Sequence, residues 1–159
     1  MILRALKLTK RDPARAWLLA RMAGWVVVLS GLARLLPLSR ALRIVSPEVR
    51  RKSLDIDPVQ LSRAIDALLE ADFFVFKPSC WKRATVLHRY LARAGVATTI
   101  RFGVRKDGDS ELKGHAWLEL SGEPILESSP PTYTVTYSFP SDQQFEGDLA
   151  VLANTNRTD

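Results

Sequence analysis

This chain of 159 residues contains a single cysteine, Cys80, and only two histidines. One thiol cannot form an internal disulfide, and one cysteine with two histidines argues against a structural zinc site. The sequence also lacks a phosphate-binding loop and a dinucleotide-binding fingerprint, so we expect neither a metal nor a cofactor. Cys80 is left with packing or chemistry as its role, and a free thiol suits the reducing cytoplasm.

Acidic residues are scarce in the first third of the chain. Residues 1–52 carry 12 Lys and Arg against two acids, Asp12 and Glu48, a balance of +10, whereas residues 53–159 carry 11 basic against 15 acidic residues, a balance of −4. A basic segment of this kind can contact anionic lipid, nucleic acid or an acidic protein or peptide, or it can form a solvated helical surface. The charge alone does not choose among these roles.

Long uncharged apolar runs are also missing. The segment 17–36 is very apolar, but Arg21 and Arg34 leave only 12 uncharged residues between them, fewer than the roughly 20 that a membrane-spanning helix needs. No small-residue cleavage motif follows, which argues against a signal peptide. We therefore expect a buried or interfacial helix, in a cytoplasmic protein that can contact the membrane surface through its basic N-terminal helices.

The length and composition predict one domain over residues 1–159. Hydrophobic residues make up 47% and charged residues 25% of the chain, and a chain of this length buries roughly 70% of the surface that its unfolded form exposes. We divide it into a basic helical segment over residues 1–56, a core over 57–153 and a flexible tail over 154–159.

Helix signals fill the first half of the sequence. Asp12-Pro13 and Asp57-Pro58 each place a capping residue before a proline at the first helical position, and a further helix starts near Cys80. Gly95 is well placed as the C-terminal cap of that helix. Its apolar stripe would face inward and consists of Cys80, Ala84, Leu87 and Leu91.

After residue 95 the hydrophobic pattern changes from helical to alternating. Strands are predicted around residues 99–104, 114–120, 125–127 and 132–139, with turn residues between them. Helices followed by an antiparallel sheet, without crossover connections, indicate an α+β fold in which the cysteine-bearing helix packs on the sheet.

The order of Cys80 and His115 indicates cysteine chemistry. A thiol attacks as its thiolate, and a helix N-terminus next to Lys82 and Arg83 favours the anion. His115 lies in a predicted strand on which that helix would pack, so it can act as the base. His88 cannot, because it lies eight residues further along the same helix, roughly 12 Å away. We interpret it as a partly buried structural histidine.

Two acids can orient the imidazole of His115. Glu119 lies on the same strand face but about two pleats away, whereas Glu127 follows the next turn, on a strand that should pair with the histidine strand. We favour Glu127 and keep Glu119 as the alternative. A solitary cysteine is most often a packing residue, but the order of cysteine at a helix start, histidine in a strand and a later acid is more specific than any of its parts.

Three segments read Cys-Trp-Lys-Arg to Ala-Gly over residues 80–95, Ile-Arg-Phe-Gly-Val-Arg over 100–105 and Gly-His-Ala-Trp-Leu-Glu over 114–119. Together they resemble the bacterial lasso peptide biosynthesis B2 proteins. These belong to the transglutaminase-like, papain-related superfamily. The resemblance implies a leader peptidase that cuts a ribosomally made precursor between its leader and core, with Cys80 as nucleophile and His115 as base. The third family position, typically Asp, falls on Glu127.

The resemblance also implies partners. The family exists in fused and split forms, and the fused form has a small leader-recognition domain before the helices. The absence of such a β-rich domain here matches the split form. In that form a separate leader-recognition protein delivers the precursor peptide to the peptidase, and a lasso cyclase closes the ring. No nucleic-acid partner is implied. Two other functions stay open on the same fold: an acyl transferase of the transglutaminase type, and a non-catalytic peptide-binding module in which Cys80 is merely buried.

Overall fold

The computed structural model describes residues 13–47, 49, 57–70, 76, 78–107 and 111–140, with side chains from Ala16 onward. In this part of the chain, helices come first and an antiparallel sheet follows, which confirms the predicted α+β class. Asp12, the turn at 108–110 and the tail from residue 154 lie outside the described residues. The helices are α1 (Pro13–Leu35), α2 (Leu38–Val45), α3 (Pro58–Leu69) and α4 (Cys80–Arg93), and the strands are β1 (Thr99–Asp107), β2 (Glu111–Leu120), β3 (Glu123–Ile125) and β4 (Thr134–Phe139).

The predicted helix boundaries have visible causes. Helix α3 starts after Asp57, whose carboxylate accepts a 2.9 Å hydrogen bond from the Val59 N–H, with proline at the first helical position. Helix α4 ends as Gly95 adopts a φ of 85°, a conformation that glycine adopts without steric cost, and the Val96 N–H returns to the Leu91 carbonyl at 2.9 Å. These local signals determine where α3 starts and where α4 ends.

The four strands form one antiparallel sheet in the order β3-β2-β1-β4. A two-residue turn joins β2 to β3, with Ser121 and Gly122 at φ values of 54° and 87°. Positive φ at both central residues gives the turn a twist that matches that of a hairpin. It pairs Leu120 with Glu123, so the chain leaving β3 passes beside the strand that carries His115.

Helix α4 lies at the centre of the core. Every residue from Ala84 to Ala92 is buried, so the predicted single inward stripe was too narrow. The reason is that α4 packs on the sheet on one side and on the other three helices on the opposite sides. Buried side chains from both layers meet around it, and they include Met22, Val26, Leu42, Leu61, Ile65, Leu87, Leu91, Ile100, Ala116, Leu118 and Phe139.

A buried arginine holds the N-terminal helices against α4. Arg89 donates a hydrogen bond from Nη1 to the carbonyl of Val45, the last residue of α2, and its guanidinium lies 3.5 Å from the centroid of the Trp25 ring on α1. A cation at a helix C-terminus and over an indole face is favourable on both counts. Arg89 therefore joins α1, α2 and α4 within the core.

Helix α1 is more exposed than a core helix. Its segment Ala16–Leu35 could cross a membrane by length and composition alone. It contains an 18-residue window with a mean hydropathy of 1.6, but only 17% of that window is buried. One such helix is weak evidence for a membrane span, because core helices of soluble proteins and signal sequences share these properties. We predicted that this helix would be buried or would lie at an interface. Most of the α1 surface is not buried, so the first alternative is wrong for that surface.

Candidate active site

Cys80 occupies the first position of α4, as predicted. Ser79 before it is extended, with φ −157° and ψ 116°, and the first hydrogen bond of the helix runs from the Arg83 N–H to the Ser79 carbonyl at 3.1 Å. The N–H groups of the first helical turn, including that of Cys80, therefore have no partner within the helix. The thiol is free and half-buried, so it combines access with a row of backbone donors beside it.

His115 projects from β2 with its ring fixed by two aromatic neighbours. The ring stacks on Trp117 at a centroid distance of 6.0 Å and an interplanar angle of 13°, and it lies 5.2 Å from the ring of Tyr133. Gly103, which pairs with His115 across β1 and β2, provides the space. A Cβ at Gly103 would lie 2.9 Å from the Cβ of Tyr133 and 3.0 Å from Cη2 of Trp117.

Glu127 contacts the imidazole of His115 directly. Its Oε2 lies 3.0 Å from Nε2 of His115. A carboxylate there accepts a hydrogen bond from an Nε2–H group, and with the proton on Nε2 the lone pair is on Nδ1. Glu127 lies two residues beyond β3 rather than on a strand. Leu126 between them has a φ of 59°, in the left-handed region that bulky residues rarely adopt. This turn directs the carboxylate back toward β2.

Glu119, the alternative acid, has other partners. Its Oε2 accepts a hydrogen bond from Nε of Arg101 at 2.8 Å, and its Oε1 accepts one from the indole N–H of Trp117 at 3.0 Å. Both carboxylate oxygens are engaged within the sheet. Of the two acids that the sequence offered, the structure brings only Glu127 to the His115 ring.

Arg83 organises the acidic side of the site. Its guanidinium donates to Asp66 at 2.7 Å, to Oε1 of Glu127 at 2.9 Å, to the Ser62 hydroxyl at 2.8 Å and to the Leu126 carbonyl at 2.7 Å. From its place in the sequence, Arg83 is expected to act as a cation beside the thiol. The structure instead assigns its charge to two carboxylates, so Arg83 holds Glu127 and the strained Leu126 in place.

His88 lies outside this site. It is buried on α4, where its Nδ1 lies 2.9 Å from the Thr98 hydroxyl and its ring meets the ring of Phe139 edge-on. Burial lowers the pKa of His88 from 6.5 to about 4, so the ring is neutral at physiological pH. The expected structural role fits its surroundings.

The candidate residues line a shared cleft of about 790 Å³. Cys80 and His115 both line it, with Glu127 beside them, so a thiol, an imidazole and a carboxylate face one concave space. Such a set can form and break an acyl–sulfur bond. The lining comes from α3, α4, β2 and the segment after β3: Val59, Ser62, Arg63, Asp66, Cys80, Arg83, His115, Ala116, Leu126, Glu127 and Ser128.

Sequence reasoning missed four contributors to this site: Arg83 as a clamp on Glu127, Asp66 and Ser62 as its other partners, and Tyr133 against the imidazole. Only Arg83 carried a local signal, since a residue three positions after Cys80 lies on the same helix face. Within the described part of the chain, no group of three or more His, Cys, Asp or Glu side chains is placed to hold a metal ion.

Comparison with protein families matches residues 17–138 to the transglutaminase-like superfamily. The match spans α1 to β4 and includes Cys80, His115 and Glu127. Catalysis in this superfamily is typically cysteine-based, and its fold serves cysteine peptidases and acyltransferases. No curated protein and no solved structure matches the chain.

Proposed function

We propose that this chain, which belongs to the transglutaminase-like superfamily, is a cysteine endopeptidase that removes the leader from a ribosomally made lasso peptide precursor. The observation that supports cysteine catalysis most directly is the 3.0 Å contact between His115 and Glu127 in the cleft that Cys80 also lines. The resemblance of segments 80–95, 100–105 and 114–119 to lasso B2 proteins supports the choice of substrate.

In the proposed acylation step, Nδ1 of His115 takes the thiol proton and Sγ of Cys80 attacks the scissile carbonyl carbon. The carbonyl oxygen becomes an oxyanion, which the N–H of Cys80, without an acceptor within α4, can hold by a hydrogen bond. As the C–N bond breaks, Nδ1 returns the proton to the leaving amine of the core peptide. The leader remains attached to Cys80 as a thioester.

Deacylation repeats the sequence with water as nucleophile. Nδ1 of His115 takes a proton from water, the hydroxide attacks the thioester, and the C–S bond breaks to release the leader carboxylate and restore the thiol. Glu127 accepts a hydrogen bond from the Nε2–H group throughout, so the ring keeps one tautomer and its positive form is stabilised in each half-reaction. Arg83 positions Glu127 for this task by the 2.9 Å contact between them.

The proposed partners follow from the same assignment. A separate leader-recognition protein presents the precursor peptide to the cleft, and a lasso cyclase takes the amine that cleavage releases. Exposed rims support an extended substrate: Val59 and Arg63 lie on one wall of the cleft and Ser128 on another, and all are exposed. A peptide chain can therefore pass over the thiol with both ends free.

The direct test incubates the protein with its neighbouring precursor peptide and recognition protein and measures the products by mass spectrometry. We expect leader and core as separate products with the wild type and none with Cys80→Ala. Cleavage that survives this substitution contradicts the proposal. Products joined to an amine, without the added mass of water, identify an acyl transferase instead. Slow alkylation of Cys80 near neutral pH favours the non-catalytic binding module.

A further inference from the structure

The outward face of α1 is an apolar strip that Arg21 interrupts near its N-terminal end. Trp17, Gly24, Val28, Gly31 and Leu35 fall within about 40° of one line along the helix at 3.6 residues per turn. Trp17 is 66%, Val28 44% and Leu35 82% exposed, and a Cβ at either glycine would meet nothing within 4 Å. Scattered apolar residues are normal on a surface, but a strip about five turns long is not scattered.

The opposite face of α1 is committed to the core. Met22, Val26 and Leu29 are fully buried, and Ser30 is nearly so. They lie on the far side of the helix from Val28 and pack toward α2, α3 and α4. A helix with one face packed in a folded core cannot cross a bilayer without leaving that core, and Arg21 and Arg34 interrupt its apolar segment. The strip must meet its partner while α1 lies flat.

Basic residues border the strip on both sides. Arg21 and Arg34 are exposed and lie on opposite sides of the line through Trp17 and Leu35, about 40° and 100° from it around the helix axis. The surrounding sequence strengthens this charge, since residues 1–52 carry 12 Lys and Arg against two acids. An apolar face with arginines along its edges is the pattern of a helix that lies in the interface of an anionic membrane, with the arginine stems reaching to the headgroups.

We propose that α1 docks this protein on an anionic lipid surface, with the strip defined by Trp17, Gly24, Val28, Gly31 and Leu35 inserted below the headgroups and Arg21 and Arg34 at headgroup level. Tryptophan at one end of the strip fits this depth, because indole rings prefer the membrane–water interface. Docking of this kind is reversible and leaves the cleft lining untouched, since none of the described α1 side chains, from Ala16 onward, lines the cleft. It does not depend on the peptidase activity.

The test is cosedimentation of the full chain with vesicles of phosphatidylcholine alone and of equal parts phosphatidylcholine and phosphatidylglycerol. We expect binding to the anionic vesicles, weaker binding at high salt and little binding to phosphatidylcholine. The variant Val28→Ser/Leu35→Ser should lower the partition into anionic vesicles by about tenfold or more, because two inserted apolar side chains are lost. Circular dichroism checks that the variant is folded.

A matched control has the same two substitutions on the sheet, Leu112→Ser and Val135→Ser. These side chains are 72% and 44% exposed, close to the values for Leu35 and Val28, and should leave vesicle binding unchanged. Failure to bind anionic vesicles overturns the proposal and leaves a partner protein as the occupant of the strip. Equal loss in both double variants, or no loss in the α1 variant, also overturns it.

Discussion

Replacing Glu127 by Gln should prevent His115 from acting as the base while leaving the shape of the site intact. The carboxylate serves two donors at once, with Oε1 accepting from Nη1 of Arg83 at 2.9 Å and Oε2 lying 3.0 Å from Nε2 of His115. Glutamine offers one acceptor and one donor in the same geometry. One of the two neighbouring N–H groups must then face an amide N–H₂.

The structure decides which neighbour loses its acceptor. Arg83 is anchored by Asp66, Ser62 and the Leu126 carbonyl in addition to Glu127, and its hydrogen bond to the amide oxygen is charge-assisted. The amide oxygen therefore turns to Arg83 and the N–H₂ group turns to His115. To accept from it, the imidazole must move its proton to Nδ1, which is the nitrogen that should take the proton of Cys80.

The expected loss in kcat/KM for Glu127→Gln is roughly 10- to 150-fold, from about 1.5–3 kcal/mol for a hydrogen bond to a charged group. Precursor cleavage measured over time provides the assay, and thermal unfolding checks that the variant is folded. Glu119→Gln is the matched control, since that acid contacts Arg101 and Trp117 rather than His115. It should retain most of the activity.

A double-mutant cycle tests whether Arg83 sets the orientation of the amide in Glu127→Gln. In an Arg83→Met background the amide oxygen is no longer claimed by the guanidinium and can turn to His115. Glu127→Gln should then cost roughly fivefold or less, relative to Arg83→Met alone. Equal losses in the two backgrounds would refute the argument that Arg83 dictates the amide orientation, and full activity of the single Glu127→Gln variant would refute the role of the carboxylate.

Three further predictions concern packing, titration and capping. Gly103→Ala should destabilise the fold by about 1–3 kcal/mol and lower activity because its Cβ meets Tyr133, whereas Gly114→Ala, with 3.9 Å to the nearest atom, should do neither. His88 has a pKa of about 4 in the folded protein, below its ordinary 6.5. Its contribution to the free energy of unfolding is therefore complete above pH 6.5 and falls by about 3 kcal/mol as the pH drops from 6.5 through 4. His88→Asn should flatten that part of the pH dependence in urea unfolding. Asp57→Ala should cost about 1 kcal/mol through the lost N-cap.

Local chemistry made much of this fold predictable. Asp57-Pro58 started α3 and Gly95 ended α4 because a cap and a left-handed terminal residue act within a few positions of each other. The alternating pattern after residue 98 predicted the strands for the same reason, since side chains on a strand alternate between its two faces. Such signals do not depend on what packs around them.

The order of residue types along the chain was enough to identify the side chains that could perform cysteine chemistry: one thiol at a helix start, one histidine in a strand and two acids near it. Only the tertiary structure separated Glu127 from Glu119, because the contacts that decide it join Arg83 to positions 17, 21, 43 and 44 residues away. The burial of α4 on every side and the open face of α1 were likewise decided by which elements pack together. The periodicity of a sequence shows which residues share a helix face. How many helices and strands pack on that helix depends on the whole fold.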